Sequence, residues 1–298
     1  MSAEEIRANR LSGRNLRWVN LQRANLIGAY LHGANLTGAY LGGADLTGAD
    51  LTGANLTGAN LSSTTLRDAD LTGADLTGAD IRGAEIQRAV FEEANLAGAN
   101  LREANLTGAD LTGADLTGAN LREADLTGAN LTEANLTEAN LREAELQGAD
   151  LTEANLSGAR LSDANLREAE LQGADLRGAN LRGAWLTGAN LAGALVERES
   201  LALAIGVNPA GVVYIGVDPV ALRDDLVVVD EIDVCPICGE EGGPGVLTTC
   251  EPRGHEFHAS CLLDWKRTGR GDCPMCRREG SFFGTVRRTI FVAKPRDA

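Results

Sequence analysis

Cysteine, lysine and long apolar runs are what this chain of 298 residues has least of. No cysteine precedes Cys235, and no lysine occurs within residues 1–195. No stretch approaches the roughly 20 apolar residues of a membrane span. The opening sequence, MSAEEIRANR, carries acids where a signal peptide needs bases, and no apolar run follows it. These absences predict a soluble, intracellular, cytoplasmic protein that is not embedded in a membrane.

An excess of positive charge is missing as well. The formal net charge is −15, of which residues 1–195 contribute −11 (15 arginines against 26 acids) and the remainder −4. A general nucleic-acid binder or a protein of anionic membrane surfaces needs excess cationic charge, so both classes are disfavoured. The two parts also differ too much in composition to share one core, which predicts separate domains.

One five-residue unit repeats along the first two-thirds of the chain. From Leu11 to Leu191 every fifth residue is apolar, almost always leucine, in 37 consecutive units such as ADLTG and ANLRE. From Leu16 onward, alanine stands two residues before the apolar residue, with Arg14, Val19 and Thr64 as exceptions. A period of five matches neither an α-helix nor a flat strand, so the repeat itself predicts the fold.

A second, longer period of four units, or 20 residues, is superimposed on the five-residue period. LREAN, LREAD and LREAE begin at residues 101, 121 and 141. Four units per turn predict a four-sided coil in which residues four units apart stack, leucine and alanine point inward, and Asp or Asn occupies each corner. With a strand-like spacing of about 4.8 Å, about nine coils make a rod on the order of 45 Å long. We expect an acidic column to neutralise the arginine column beside it: Glu103, Glu123, Glu143 and Asp163 next to Arg82, Arg102, Arg122, Arg142 and Arg182.

These A(D/N)LXX units resemble those of the pentapeptide-repeat family, and the resemblance covers residues 1–195. It implies a mainly β fold, a right-handed four-sided β-helix. The fold alone says little about function, because one fold hosts unrelated roles. Some family members resemble DNA in shape and charge and bind DNA gyrase. One column of acids here is compatible with such a role. The simpler interpretation is that these acids are corner residues on a solvated surface and bind no partner. That column is Asp50, Asp70, Asp110, Asp150 and Glu170.

The repeat ends near Leu195, and residues 196–232 form a different segment. It contains IGVNP and IGVDP, whose Asn-Pro and Asp-Pro pairs favour turns, and GVVYIGV and LVVV, whose composition is typical of strands. An open end of a solenoid needs cover, so we predict a strand-bearing cap or connector here.

All six cysteines and two of the three histidines lie between Cys235 and Cys276. Two C-x2-C pairs bracket a central group of four further donors, and eight ligands are the number that two tetrahedral zinc ions require. Four thiolate or imidazole ligands close each site, so we predict two structural zinc ions, which would supply much of the folding energy of so small a segment.

The order Cys-Cys-Cys-His-His-Cys-Cys-Cys resembles the RING finger of the two-histidine type, found in ubiquitin ligases. The resemblance covers residues 233–280 and implies a cross-braced pair of zinc sites. The spacer EPRG, between the third and fourth ligands, is longer than in most members of that family. The first site implied is Cys235, Cys238, His258 and Cys261. The second is Cys250, His255, Cys273 and Cys276.

Four further residues match positions by which RING ligases hold a ubiquitin-conjugating enzyme. Ile237 stands between the first two cysteines, and Trp265 and Pro274 match the groove tryptophan and the second-loop proline. Arg277 matches the linchpin arginine that touches both conjugating enzyme and ubiquitin. A simpler interpretation exists for each, since Ile237 and Trp265 can pack a small core and Arg277 can be a solvated neighbour of Arg278.

The resemblance therefore implies a RING-type ligase for ubiquitin or a ubiquitin-like protein, with the β-helix as a substrate-docking or scaffold rod. With every cysteine used as a ligand, none is free to carry ubiquitin, so transfer from the charged conjugating enzyme would rely on positioning. A non-catalytic interaction scaffold with a zinc module, and an acidic DNA mimic that binds gyrase, are the alternatives. Residues 281–298 are predicted to be a tail with one strand.

Overall fold

The computed structural model of this chain describes residues 11–209, 211–215, 227–229, 245–247 and 256–258. The chain divides into two compact units, Met1–Ile215 and Gly216–Ala298. Most of the first unit is described, and it contains the repeat. In the second unit the described residues are those of short strands.

Each five-residue unit makes one tight turn, which forms a corner of the coil. The backbone N–H of Ala49 donates to the carbonyl of Leu46 at 2.9 Å, closing the turn. Gly48, between them, has a φ of 63°, as the third residue of a type II turn requires. Glutamate also takes this position, and Glu123 has a φ of 60°. The repeat thus tolerates a left-handed backbone at residues for which it is not the preferred conformation.

The side chain of the Asp or Asn before each leucine stabilises the turn by accepting hydrogen bonds on its outer side. Oδ1 of Asp45 accepts two hydrogen bonds from Thr47, one from its backbone N–H at 3.0 Å and one from its hydroxyl at 2.6 Å. This local side-chain to backbone pairing explains why units of the form ADLTG recur. The predicted corner role of Asp and Asn is confirmed.

Successive coils stack by parallel pairing between residues four units apart. Asp110 pairs with Asn130, and the same pairing recurs along the stack from Asn15 to Ile205. The backbone N–H of Asp110 donates to Ala89 at 3.0 Å, and that of Leu111 donates to Asn130 at 2.7 Å. The four corners per coil confirm the predicted four-sided β-helix.

The interior of the solenoid is built from the leucine and alanine columns, as predicted. Leu116 and Ala119 are completely buried, and so is Phe91, which replaces a leucine. Thr64 takes an inward alanine position and is also buried; its hydroxyl donates to the carbonyl of Leu61. The large aromatic side chains of the early coils lie outside this core.

The four sides of the coil define four faces. The first face starts with residues 14–18, the second with 19–23, the third with 24–28 and the fourth with 29–33, and each continues at every twentieth residue. Because the sides follow one another around the coil, the second and fourth faces are opposite.

The solenoid does not stop at Leu195. Strand β1 (Leu195–Glu197) is followed by the short helix α1 (Arg198–Leu201), and β2 (Val213–Ile215) pairs with β1 in parallel, Leu195 opposite Val213. Val196 and Leu201 are buried at positions where earlier coils place leucine. Residues 196–209 and 211–215 therefore form a last, degenerate coil at the end of the core.

The second unit contains an antiparallel sheet. Its strands are β3 (Val227–Val229), β4 (Gly245–Leu247) and β5 (Glu256–His258), in the order β3-β4-β5. Strand β2 lies within GVVYIGV and strand β3 within LVVV, the two segments of strand-like composition. The strand predicted within residues 281–298 lies outside the described residues.

Candidate metal centre and surface of the solenoid

Among the predicted zinc ligands, the structure describes the backbone of His258, at the end of β5. His258 pairs with Gly245, and Glu256 pairs with Leu247. The other predicted ligands and the four predicted enzyme-contact residues lie outside the described residues. They are Cys235, Cys238, Cys250, His255, Cys261, Cys273 and Cys276, with Ile237, Trp265, Pro274 and Arg277.

The spacer EPRG belongs to the connection between β4 and β5. Strand β4 ends at Leu247 and β5 begins at Glu256, so residues 248–255 join them and include Cys250 and His255. The length of a hairpin connection can change without altering the pairing of its strands. The long spacer is therefore compatible with the observed register.

The strand register fixes the end of the sheet at which each connecting segment starts. In the register, Val229 pairs with Gly245, which in turn pairs with His258. The chain thus leaves β3 toward Cys235 at the same end of the sheet at which β5 ends in His258. The connection with Cys250 and His255 starts from the opposite end.

The donor set fits zinc. Six thiols and two imidazoles are soft and borderline donors of the kind that structural zinc sites use, and they divide evenly between two four-ligand sites. Within the residues that the structure describes, no cluster of His, Cys, Asp or Glu could hold a metal ion. On the chemistry of their side chains, the predicted donors of residues 235–276 are the candidate metal site.

Charge is distributed unevenly over the faces of the solenoid. The second face has seven arginines and five acids, a net of +2, whereas the fourth face has nine acids and neither lysine nor arginine. A rod with one strongly acidic side therefore forms from a sequence in which acids look evenly spread. The acids of the fourth face are Asp50, Asp70, Glu92, Glu93, Asp110, Glu133, Asp150, Glu153 and Glu170.

A ladder of ion pairs runs along the second face. Nη2 of Arg102 lies 2.9 Å from Glu103 and 3.3 Å from Glu123, and Nη2 of Arg122 lies 2.8 Å from Glu123 and 3.2 Å from Glu143. Desolvation raises the pKa of Glu123, but the arginines outweigh it, and the net effect is a lowered pKa. For Arg102 and Arg122 the predicted neutralisation is confirmed.

Elsewhere an arginine pairs with the corner acid of its own unit. Arg82 binds Asp80 through two parallel hydrogen bonds of 2.7 Å each, which lowers the pKa of Asp80. Arg177 pairs with Asp175 in the same way and lowers its pKa. These forks form because arginine directly follows the leucine or isoleucine, in the place that threonine takes in ADLTG.

Threonine also connects neighbouring coils on the first face. Asp75 accepts hydrogen bonds from the N–H and hydroxyl of Thr77 at 3.0 and 2.6 Å and from the hydroxyl of Thr57, one coil earlier, at 3.1 Å. Burial alone would raise the pKa of Asp75, but these hydrogen bonds outweigh it and lower the pKa.

Sequence reasoning missed an aromatic contact near the end of the solenoid. The guanidinium carbon of Arg167 lies 4.2 Å from the centroid of the Trp185 ring, a cation–π contact. Trp185 pairs with Ile205 of the last coil, and both are exposed, by 41 % and 45 %. The signal available in the sequence is the 18-residue spacing of Arg167 and Trp185, which also relates Thr57 to Asp75.

The repeat, the corner chemistry and the stacked coils define a class of protein. The family described as pentapeptide repeats matches with eight copies, over residues 15–53, 54–92, 84–122, 119–158 and 154–193. The chain belongs to the pentapeptide-repeat family. A similar solved structure is HetL, a pentapeptide repeat protein involved in heterocyst differentiation regulation in the cyanobacterium Nostoc. It is 39 % identical, with 62 % of this chain and 88 % of that chain covered and a TM-score of 0.40.

The carboxyl-terminal part carries a second match, to the Ring finger domain over residues 233–277. A probable E3 ubiquitin-protein ligase of Arabidopsis thaliana, RHB1A, is 46 % identical over 61 residues, 19 % of this chain. The E3 ubiquitin-protein ligase AIRP1 of the same plant is 43 % identical over 53 residues, 17 % of this chain. The matches span 30 % and 32 % of the length of these curated relatives.

The helix content of the described residues is small. None of the helices found there is long and apolar enough to cross a membrane.

Proposed function

We propose that this chain is a RING-type ligase that transfers ubiquitin, or a ubiquitin-like protein, from a charged conjugating enzyme. The observation that carries the proposal is the complete set of eight zinc donors within the segment that matches the Ring finger domain. Similarity to plant ubiquitin ligases, at 46 % and 43 % identity, supports it.

Two zinc ions would hold the domain together. We assign Cys235, Cys238, His258 and Cys261 to one ion, and Cys250, His255, Cys273 and Cys276 to the other. The register is compatible with this division, because β3 and β5 both end at one end of the sheet, whereas the connection that contains Cys250 and His255 starts at the other. Zinc bound by four protein ligands supplies structural stability and leaves no position for a reactive water.

The chain's own residues would act by positioning. Ile237, Trp265 and Pro274 would form an apolar contact with the conjugating enzyme, and Arg277 would hold ubiquitin against it. Holding the thioester in an attack-ready geometry lowers the activation barrier, because the loss of motional freedom has already occurred on binding. No cysteine is left over to form a covalent intermediate with ubiquitin.

The β-helix would hold the acceptor protein. Its fourth face, with nine acids and no lysine or arginine, is complementary to the cationic surface of a lysine-bearing acceptor. Its stacked coils supply a rigid frame, since every corner is closed by backbone hydrogen bonds. The opposite face, with its paired arginines, lacks this complementarity.

A reconstituted transfer assay tests the ligase. It contains activating enzyme, charged conjugating enzyme and the full chain, and it follows discharge of the thioester to free lysine. Ile237→Ala and Arg277→Ala should abolish stimulation while zinc content stays unchanged. Arg278→Ala, which alters the neighbouring arginine, is the matched control and should remain active.

The alternatives predict different results, one in this assay and one in a gyrase assay. A non-catalytic scaffold would leave the rate of thioester discharge unchanged at any concentration of the chain. A DNA mimic would inhibit supercoiling by gyrase in proportion to the charge on the fourth face. Unaltered discharge by both Ile237→Ala and Arg277→Ala would refute the proposed ligase site.

A further inference from the structure

The surface of the β-helix lacks lysine. Of the 27 basic residues of the chain, two are lysines, Lys266 and Lys294, and both follow the repeat region and lie outside the described residues. A guanidinium group keeps its proton at physiological pH and is a poor nucleophile, whereas a lysine amine can lose its proton and attack a thioester. The solenoid thus exposes cations without exposing amines.

Part of this preference for arginine has a structural cause. Arg82 donates hydrogen bonds from Nε and Nη2 to Asp80, both at 2.7 Å. Arg88 donates to Asp68 in the same way, at 2.8 and 2.9 Å. A lysine has one nitrogen and cannot form these parallel bonds. At such positions the fold itself selects arginine.

Other arginines have no such cause. A second group is exposed, and in the described part of the chain no side-chain hydrogen bond or ion pair is found for it. Lysine would fit equally well at these positions, so the absence of amines extends beyond what the fold requires. The group is Arg17, Arg23, Arg142, Arg160 and Arg182.

We propose that side-chain self-modification of this ligase is confined to Lys266 and Lys294, and that the solenoid can hold an acceptor for a charged conjugating enzyme without its own side chains being modified. The inference rests on the proposed function. In the step, the neutral lysine amine attacks the thioester carbonyl of ubiquitin. A C–N bond forms, the C–S bond breaks, the sulfur of the conjugating enzyme leaves with the electron pair, and the amine proton passes to solvent or to that thiolate.

The first test compares the wild-type full chain with Lys266→Arg, Lys294→Arg and the double variant. Activating enzyme, conjugating enzyme, ubiquitin and ATP are supplied, and modified residues are mapped by mass spectrometry. We expect wild-type modification at the two lysines alone and none in the double variant. Discharge of the conjugating enzyme to free lysine and zinc content should be unchanged.

The discharge assay and the mapping of modified residues distinguish the proposed ligase function from the proposed confinement of self-modification. Without stimulated discharge by the wild-type chain, the proposed ligase function fails. With stimulated discharge, modification of any other side chain of the chain overturns the confinement to Lys266 and Lys294. Mapping on the wild-type chain keeps the test valid even where a variant folds poorly.

A second test returns amines to the solenoid, one per face, in the double variant. Each new lysine occupies the exposed position that directly follows a core leucine. Modification of at least one of them is expected, since only the missing amine protects the surface. If all four stay unmodified while discharge proceeds, the absence of lysine is not what protects the solenoid. The variants are Arg17→Lys, Arg142→Lys, Gln147→Lys and Gln172→Lys, on the first to the fourth face.

Discussion

His258 pairs with Gly245 across the antiparallel ladder of β5 and β4. This pairing places the end of β5 beside the start of β4, and the predicted ligands Cys250 and His255 in the connection that leaves the other end of β4. The proposed division of eight donors between two zinc ions is compatible with this register.

Zinc content tests that division. The wild-type chain should bind two zinc ions, and Cys261→Ser or Cys276→Ser should each remove one. Combining Cys261→Ser with Cys235→Ser should remove no more zinc than the single change, because both ligands belong to one site. Combining it with Cys276→Ser should remove both ions. Zinc is measured by atomic absorption after dialysis, and Ser260→Ala is the control beside Cys261.

The opposite pattern would contradict the assignment. Loss of both ions in the pair Cys235 and Cys261, with one ion retained in the pair Cys261 and Cys276, would mean that the ligands are shared differently. Chelation of the wild-type chain should remove the cooperative unfolding of the zinc domain, because metal binding supplies its folding energy.

The ion-pair ladder on the second face should be sensitive to salt. Arg122→Gln removes contacts with Glu123 and Glu143, so the unfolding temperature should fall slightly at low ionic strength. In about 1 M NaCl, where the Debye length is about 3 Å, the difference should shrink. Arg142→Gln, one coil further on, is the control. An equal effect of both changes at all salt concentrations would exclude a role for the ladder.

At corner positions with positive φ, removing a glycine should destabilise the solenoid and introducing one should stabilise it. Gly128 has a φ of 62° and open space where a Cβ would stand, so Gly128→Ala introduces only backbone strain, of about 1 kcal/mol. Glu133, at the same position of the next unit, has a φ of 58°, and Glu133→Gly should raise the free energy of unfolding. Urea titration of the two variants measures both, and a gain from Gly128→Ala would contradict the account.

Acid should destabilise the solenoid below about pH 4, the range in which unfolded carboxyl groups titrate. The pKa of Asp75 is lowered in the folded chain, so its contribution is present above its unfolded pKa and is lost as pH falls through its folded pKa. Asp75→Asn keeps an acceptor for Thr77 but does not titrate. Its unfolding temperature should depend less steeply on pH than that of the wild-type chain, and identical pH profiles would contradict this.

Much of the solenoid follows from local rules. Leu116 and Ala119 are buried because they repeat with the period of the coil, and Asp45 holds its corner through Thr47, two positions further along the chain. Such contacts lie within one unit or between units at a constant spacing. The five-residue unit and its fourfold multiple therefore predict them.

Contacts that depend on the neighbouring coil are harder to predict. Arg82 was expected beside an acidic column, yet its partner is Asp80 of its own unit, whereas Arg102 reaches Glu123 of the next coil. Arg82 follows a corner aspartate, Asp80, whereas the corner residue before Arg102 is the uncharged Asn100. Which acid an arginine binds, in its own unit or in the next coil, depends on which carboxylates lie within its reach.

The linear order of residues is enough to predict the four-sided coil, its leucine core and the eight candidate zinc donors, because these depend on spacing along the chain. Only the folded coil decides which acid an arginine binds and how Val196 and Leu201 continue the core beyond the repeat. The reason is physical: stacking brings together residues about one coil apart, and their electrostatic and packing energies depend on distance in space.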